Sequence, residues 1–244
     1  MSYSVNVIFP AFLVNRFELL KKTVDSVFNS TYKNVKISIG INGNKELLEL
    51  VKQFPVDIYY ADTNLDCAKM LNVLAAYNKS DMILYCCDDV MFAPDCIETA
   101  VGAMEQHFTD LDGLVSIKQV NVPDGWDTAF GLVGKKFISR FPEILLCPEY
   151  VHGGADAEVG DYAKYLGKHF HCEAACLFND RIMDESQTYS NSVMRKIDVP
   201  LYYLRKEKGF LWGNNFDLVD PKYFISANDL KLCGTPVKLV ADIV

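Results

Sequence analysis

The sequence lacks the short motifs that mark several common enzyme classes. It contains no glycine-rich phosphate loop, no Gly-x-Gly-x-x-Gly motif and no Gly-x-Ser-x-Gly nucleophile elbow. Such loops bind phosphates or expose a nucleophile, so their absence argues against a kinase, a dinucleotide dehydrogenase and an esterase. The eight cysteines form no Cys-x-x-Cys pair and several lie in apolar runs, so we expect buried, reduced thiols.

Long hydrophobic segments are also missing. The longest apolar runs, such as residues 82–87, are far shorter than the roughly 20 residues that span a bilayer. The N-terminal residues lack the basic and then apolar pattern of a signal peptide. We therefore expect a cytoplasmic protein with no transmembrane segment. Acidic residues outnumber basic ones by 32 to 24, and the net charge of -8 argues mildly against nucleic acid or an anionic membrane as a partner.

The first 117 residues alternate between strand and helix patterns. Hydrophobic spacing predicts strands at 5–9, 35–41, 56–61, 82–87 and 114–120, and helices at 17–28, 46–54, 65–77 and about 94–107. Short loops between them imply right-handed crossovers and a mostly parallel sheet with helices on both faces. Ligands of such sheets bind beyond the carboxyl ends of the strands. We therefore expect one rim to carry Pro10–Phe12, Asn42–Asn44, Asn64–Asp66 and Asp88–Val90.

Two adjacent acids, Asp88 and Asp89, directly follow the predicted strand at 82–87. Neighbouring carboxylates repel each other, and a divalent cation removes that repulsion. Mg²⁺ or Mn²⁺ takes one or two carboxylates and completes its shell with phosphate oxygens and water. The alternative is a solvated turn or a helix cap, because aspartate commonly begins helices.

The beginning of the chain carries two motifs of a known family. Val5–Phe12, then a helix, then Val35–Asn44, resembles the opening of family 2 glycosyltransferases of the GT-A fold. The stretch Asn64–Asn72 resembles the start of a helix in that family. Within it Asn64, Ala68 and Asn72 match, whereas Asp66 and Leu71 replace a usual glycine and arginine.

Two acidic motifs extend the resemblance to about residue 190. Tyr85–Val90, with Pro94 and Asp95 following, resembles the family's metal-binding DxD region. Asp156–Gly167 resembles the late acidic motif that carries the catalytic base and leads into a helix. The motifs are specific only when they are taken together.

The resemblance implies a GT-A-type, Rossmann-like α/β fold with a mostly parallel central sheet and a smaller acceptor-side C-terminal region. It divides the chain into a nucleotide-sugar-binding half (1–117), an acceptor-binding half (118–190) and a C-terminal extension (191–244). It also implies an inverting, metal-dependent transfer of a sugar from a nucleotide sugar, most simply a UDP-sugar, to the hydroxyl of an unknown acceptor. Polysaccharide, lipid-linked sugar, protein and modified nucleic acid all stay open as acceptors, and the acidic net charge makes nucleic acid the less favoured of them.

The resemblance also assigns roles to individual residues. Asp89 would hold Mn²⁺ or Mg²⁺, with Asp88 as a second ligand or a ribose contact. Asp156 is the first choice for the catalytic base, and Glu158 and Asp161 are the alternatives. The remaining donor contacts would be Pro10, Ala11, Phe12, Asn42, Asn64 and Lys69.

Two positions depart from the family pattern. Asn42 stands where an acidic residue often contacts the nucleoside, and Asn179 falls where many relatives have a metal-binding histidine. Two other readings therefore stay open. One is a nucleotidyltransferase that makes nucleotide sugars, although Ala11–Arg16 has none of the glycines of its usual loop. The other is a catalytically silent nucleotide- or sugar-binding module.

Three features of the second half leave alternatives open. His169 and His171, with Cys172 and Cys176, match no usual zinc spacing, and their alternation favours a half-buried strand at 169–178. The stretch 131–140 is expected against the acceptor side, with its aromatic residues stacked on a sugar or buried in the core. The basic run 205–209, beside 212–215, is either a loop that clamps a diphosphate or, as we favour, a solvated turn.

Overall fold

This computed structural model describes residues 2–121, 128–141, 144–180, 191–209, 231 and 234–237. The strands of those segments are β1 (Val5–Ala11), β2 (Val35–Asn42), β3 (Asp57–Ala61), β4 (Met82–Tyr85), β5 (Val90–Phe92), β6 (Leu114–Gln119), β7 (Gly131–Gly134), β8 (His169–Asn179) and β9 (Thr235–Val237). The α-helices are α1 (Phe17–Phe28), α2 (Lys45–Val51), α3 (Cys67–Tyr77), α4 (Cys96–His107), α5 (Lys135–Ile138), α6 (Ala155–Tyr165) and α7 (Val199–Glu207). A 3₁₀ turn, Val14–Arg16, precedes α1, and a short π-helix, Met194–Asp198, leads into α7.

The strands form one mixed sheet in the order β5-β8-β6-β7-β4-β1-β2-β3-β9. β1 pairs in parallel with β2 and β4, and β2 pairs in parallel with β3, as predicted for the first half. The second half differs, because β7 lies antiparallel between β4 and β6. Among the described strands, four pairings are parallel and four are antiparallel. The prediction of a mostly parallel sheet was therefore wrong beyond β4, while the α/β class is confirmed.

The first residues of the stretch 131–140 form strand β7, which pairs with β4 and β6 inside the sheet. A Cβ at Gly134 would come within 2.2 Å of the Leu111 carbonyl oxygen, so only glycine allows this close approach. The helix α5 follows at once, and Phe137 and Phe141 are fully buried in the core. Of the two alternatives for these aromatic residues, the core position is the one observed.

The sheet is covered on both faces. Side chains of β1 alternate between the two faces, and Val7 and Phe9 belong to the same hydrophobic cluster as α1 and α4. Ile8 belongs to the second cluster, with α3 and α6. Val7, Ile8 and Phe9 are all fully buried, as expected for a central strand of a sheet that is covered on both faces. Helix α1 buries Leu20, Val24 and Val27, whereas Phe28, which follows the same helical spacing, is 39% exposed.

The histidines of β8 take part in the sheet. His169 Nε2 and His171 Nδ1 each lie 2.9 Å from the hydroxyl of Ser116 on the neighbouring strand β6. The strand prediction for this segment is therefore confirmed. The seven cysteines in the described segments are free, as expected for reduced thiols.

None of the helices in the described ranges has the length and apolar character needed to span a membrane. The stretch 212–215, which the sequence analysis singled out, and Cys233, the eighth cysteine, lie outside the described residues. The basic run that precedes that stretch continues α7 through Glu207.

Candidate active site

A cavity of about 1100 Å³ opens at the carboxyl ends of β1, β2 and β4. Nine of the predicted site residues line it: Pro10, Ala11, Phe12, Asn42, Asn64, Asp88, Asp89, Asp156 and Asn179. Three predicted residues, Lys69, Glu158 and Asp161, do not line it. A smaller cavity of about 270 Å³ lies between β3 and β9, and none of the predicted residues borders it.

Asp88 and Asp89 occupy the turn between β4 and β5. Their residues are 8% and 6% exposed, so both carboxylates are largely removed from water. Arg16, from the turn before α1, places its Nη1 atom 3.6 Å from Asp88 Oδ1 and 3.4 Å from Asp89 Oδ2. Two adjacent buried carboxylates need a compensating cation, and here the guanidinium is beside both. Sequence reasoning missed this role of Arg16, since 72 residues separate it from Asp88.

Asn179 supplies a third oxygen beside this acidic pair. Its residue pairs with Val90 in the β5–β8 ladder, and the Asp180 N–H donates to the Asp89 carbonyl at 2.8 Å. The Asn179 side-chain oxygen Oδ1 is buried and has no hydrogen-bond partner within the described segments. A buried amide oxygen of this kind next to two carboxylates suits a hard cation such as Mn²⁺ or Mg²⁺. The described segments contain no group of three histidine, cysteine, aspartate or glutamate side chains that could hold a metal ion. Asn179 would therefore be the third ligand beside Asp88 and Asp89.

Asn42, at the end of β2, fixes the loop that precedes α3. Its Oδ1 accepts a hydrogen bond from the Leu65 N–H at 3.1 Å, and its Nδ2 donates to the Asp66 carbonyl at 3.4 Å. Asn44 caps α2 and donates to the Phe12 carbonyl at 2.8 Å. Where relatives often have an acidic residue, this chain therefore has an amide that fixes the loop around Asn64.

Asp66 has an unusual backbone conformation, with φ 63° and ψ 175°. This region is essentially restricted to glycine, and another residue there carries a strain of about 1–3 kcal/mol. Asp66 stands at the position where the family usually has glycine, so the glycine-type conformation is kept while the residue has changed. Partial burial and the Asp198 carboxylate raise the pKa of Asp66, and His152 and Lys69 oppose that shift.

Asp156 lies in the first turn of α6 with its side chain on the cavity wall. Gly154, whose φ of 91° suits glycine, donates its N–H to Asp156 Oδ1 at 3.1 Å. Desolvation by burial raises the pKa of the Asp156 carboxyl, and the hydrogen bonds from the N–H groups of Ala157 and Gly154 limit the rise. A half-buried carboxylate with a raised pKa has the properties of a general base.

The two alternative bases are engaged elsewhere. Glu158 is 1% exposed and accepts hydrogen bonds from Arg205 Nε at 2.9 Å and Nη2 at 2.8 Å. Asp161 accepts the hydroxyl of Tyr202 at 2.6 Å and pairs with Lys206 at 2.8 Å. Both acids join α6 to α7, so the geometry leaves Asp156 as the acid of this motif that faces the cavity.

Asp198, at the end of the π-helix, holds the loop that precedes Asp156. Its fully buried carboxylate accepts three backbone N–H bonds, from Val151 at 3.0 Å, His152 at 2.8 Å and Gly153 at 2.9 Å. All three of these residues also line the cavity. Nothing local in the sequence indicates this contact, because it spans 45 to 47 residues.

The molecule thus combines a mixed α/β sheet with paired acids at the end of a central strand and a further acid that lines the same cavity. The chain belongs to glycosyl transferase family 2, since the sequence model of that family matches residues 7–155, more than half of the chain. The predicted family resemblance is thereby confirmed. No curated protein matches the chain by sequence.

Solved structures with the same fold include two glycosyltransferases. The mannosyltransferase PcManGT from Pyrobaculum calidifontis, in complex with GDP-Man and Mn²⁺, has a TM-score of 0.59 at 12% identity over 78% of this chain. TarS residues 1–349 from S. aureus, in complex with UDP-GlcNAc, has a TM-score of 0.61 at 12% identity over 80% of this chain. The chain covers 60% of the first protein and 66% of the second. At such identity the likeness concerns the GT-A fold alone, which was the predicted fold.

Proposed function

We propose that the chain is a metal-dependent, inverting glycosyltransferase that moves a sugar from a nucleotide-sugar donor to an acceptor hydroxyl. We favour a UDP-sugar as the donor. The observation that carries the proposal is that Asp88, Asp89 and Asp156 all line one cavity at the carboxyl ends of the strands. In this proposal residues 1–117 form the donor half, residues 118–190 the acceptor half and residues 191–244 a C-terminal extension.

On the donor side, the loops at Pro10–Phe12, Asn42 and Asn64 would surround the nucleoside. Asp88, Asp89 and Asn179 would hold Mn²⁺ or Mg²⁺, which when bound supplies positive charge that stabilises the diphosphate leaving group. Arg16 is the one lysine or arginine among the described residues that line the cavity. Its guanidinium can make bidentate hydrogen bonds to phosphate oxygens, so we assign it to the donor diphosphate.

On the acceptor side, Asp156 acts as the general base. The acceptor oxygen forms a bond to the anomeric carbon while the bond from that carbon to the diphosphate oxygen breaks. The hydroxyl proton moves to the Asp156 carboxylate, and the nucleoside diphosphate leaves with the electron pair of the broken bond. Because attack and departure occur on opposite sides of the anomeric carbon, its configuration inverts.

The test is release of nucleoside diphosphate from a panel of nucleotide sugars, with and without Mn²⁺. We expect metal-dependent release from one donor, its loss in Asp89→Ala, and no change in the control Asp62→Asn, whose exposed side chain does not line the cavity. Formation of a nucleotide sugar from a sugar phosphate and a nucleoside triphosphate would instead support a nucleotidyltransferase. Metal-linked binding of nucleotide without turnover of any donor, with or without acceptors, would support a silent binding module.

A further inference from the structure

Asn179, the proposed third metal ligand, is the last residue of β8, and neighbouring strands hold only one side of its backbone. On that side it is paired with Val90 of β5, where the N–H of Asp180 donates to the Asp89 carbonyl at 2.8 Å. Successive residues of a strand turn their backbone groups to opposite sides, so the N–H and carbonyl of Asn179 itself point towards β6. The β6–β8 ladder ends at the pair Gln119–Leu177, and no strand residue pairs with Asn179 there.

The side chain of Asn121 takes the place of the missing strand residue. Its Nδ2 donates to the Asn179 carbonyl at 2.6 Å, and its Oδ1 accepts a hydrogen bond from the Asn179 N–H at 3.0 Å. One amide therefore bonds both polar backbone groups of a residue that lies 58 positions later in the chain. Asn121 is itself exposed, whereas Asn179 is only 5% exposed. An exposed side chain thus fixes the backbone of a buried residue.

A fixed backbone determines where the Asn179 side chain lies. Side chains of a strand stand roughly perpendicular to the sheet, so backbone hydrogen bonds in the plane of the sheet set their direction. The Asn179 side chain lines the cavity together with Asp88 and Asp89, and its buried Oδ1 has no hydrogen-bond partner among the described residues. A buried oxygen of this kind costs free energy. It stays in place because the backbone is held, since within the described segments no bond of its own holds it.

The same pattern of two hydrogen bonds also occurs far from the cavity, at Asn78. The Asn78 side chain bonds the N–H of Ser80 at 3.1 Å and its carbonyl at 3.0 Å, just before β4 begins. Neither Asn78 nor Ser80 lines the cavity. An amide that holds a backbone is therefore an ordinary structural device in this chain. Asn121 differs in the residue that it holds, which carries an unpartnered oxygen beside two carboxylates.

We propose that Asn121 is a positioning residue of the metal site, whose amide holds Asn179 so that the Asn179 Oδ1 can meet a cation bound by Asp88 and Asp89. The proposal rests on the metal dependence of the proposed function and adds a residue that touches neither the metal nor the substrate. Groups that orient metal ligands commonly change metal affinity by about 10- to 100-fold when they are removed. Asn121 acts in this way, through Asn179 alone.

The test is calorimetric titration of the full chain with Mn²⁺ in the absence of nucleotide. We expect Asn121→Ala to raise the Kd for Mn²⁺ about tenfold and Asn179→Ala to raise it at least as much. The double variant should bind Mn²⁺ as Asn179→Ala does, because Asn121 has no effect once its ligand is gone. The control Asn78→Ala loses the same two kinds of bond, so it should lower Tm while the Kd stays within about twofold. Asn121→Gln keeps an uncharged amide but moves it by one methylene, so it should also weaken Mn²⁺ binding, and it decides the matter if the alanine variant does not fold.

Each outcome has a distinct meaning. An unchanged Kd in Asn121→Ala would overturn the proposal, and so would a loss of equal size in the presence and absence of the Asn179 side chain. An equal loss in Asn78→Ala would overturn it too, because metal affinity would then follow general stability. A wild type that binds no Mn²⁺ would refute the metal site and with it this role of Asn121. The expected Mn²⁺ affinities in a wild type that turns over no donor would support the role of Asn121 and refute only the proposed glycosyl transfer.

Discussion

The position of Arg16 predicts competition between this side chain and the metal ion. Its Nη1 atom lies 3.4 and 3.6 Å from the oxygens of Asp89 and Asp88, and its side chain is only 11% exposed. At an effective dielectric constant of about 20, each such contact amounts to about 5 kcal/mol before the cost of desolvation. A cation that binds the same carboxylates must first weaken these contacts.

The change that tests this competition is Arg16→Gln, with Mn²⁺ affinity measured by calorimetry in the absence of nucleotide. If displacement of Arg16 consumes about 1.4–2.8 kcal/mol, the variant should bind Mn²⁺ about 10- to 100-fold more tightly than the wild type. Without metal the variant should also be less stable by about 3 kcal/mol, because a buried carboxylate pair has lost its cation. Added Mn²⁺ should restore much of that stability.

The nucleotide should respond in the opposite direction. Arg16→Gln removes a charge-assisted contact to the diphosphate, worth about 1.5–3 kcal/mol, so nucleoside diphosphate affinity at saturating Mn²⁺ should fall about 10- to 100-fold. In the wild type, the diphosphate draws Arg16 away from the acids, and each ligand therefore favours the other. Lys22→Gln is the matched control, because Lys22 is 56% exposed and lies 3.8 Å from Asp180. Unchanged or weaker Mn²⁺ binding by Arg16→Gln would refute the competition.

Three further predictions concern other acids. Asp156→Asn should lower kcat by about 10²–10⁴-fold with little change in donor affinity. In the wild type, the acid limb of the pH–kcat profile should have its midpoint above pH 3.8, because burial raises the pKa of this base. A midpoint at or below pH 3.8 would contradict the assignment of Asp156 as the base. Asp198→Ala should lower the free energy of unfolding by about 3 kcal/mol and reduce kcat, since three backbone N–H groups lose their buried acceptor. Urea denaturation and steady-state kinetics measure both effects, and stability equal to that of the wild type would contradict this role of Asp198. Asp81 has its pKa lowered to about 2 by Lys135 and Ser4, so Asp81→Asn should cost about 1–2 kcal/mol at pH 7. Because the pKa is lower in the folded state, this difference should shrink as the pH falls from 3.8 towards 2, and a difference that persists at pH 2 would contradict the ionic origin.

Much of the fold could be predicted because its signals are local. The sequences of β1 and β2 are rich in apolar residues, and Pro10 and Gly43 mark where these strands end. The apolar residues of α1 have the spacing of one helix face. Parallel pairing then follows from short connections, which placed the loops of the donor half on one rim. The strand β7 could not be predicted, because four residues with a glycine at each end carry no periodicity. Its position between β4 and β6 is set by contacts such as Gly134 against Leu111.

The candidate site was predictable where one motif carried it and not where distant residues meet. Asp88 and Asp89 could be found because they are adjacent at the end of a strand. The choice among Asp156, Glu158 and Asp161 could not be made from their spacing along α6. The choice depends on residues more than 40 positions later in the chain. Arg205 pairs with Glu158, and Lys206 pairs with Asp161.

The residues that violate local rules gather at one cavity. Asp66 adopts a glycine conformation, Asp88 and Asp89 bring like charges together in a buried turn, and Asn179 buries an oxygen that has no partner among the described residues. Each lowers the stability of the isolated fold, and such local conflicts are expected where a protein binds or reacts. It follows that stability and activity oppose each other here. Asp66→Gly should raise the free energy of unfolding by about 1 kcal/mol or more, which urea denaturation measures. If the same substitution destabilised the protein, Asp66 would hold the loop together, and its strain would be part of the fold instead of the site.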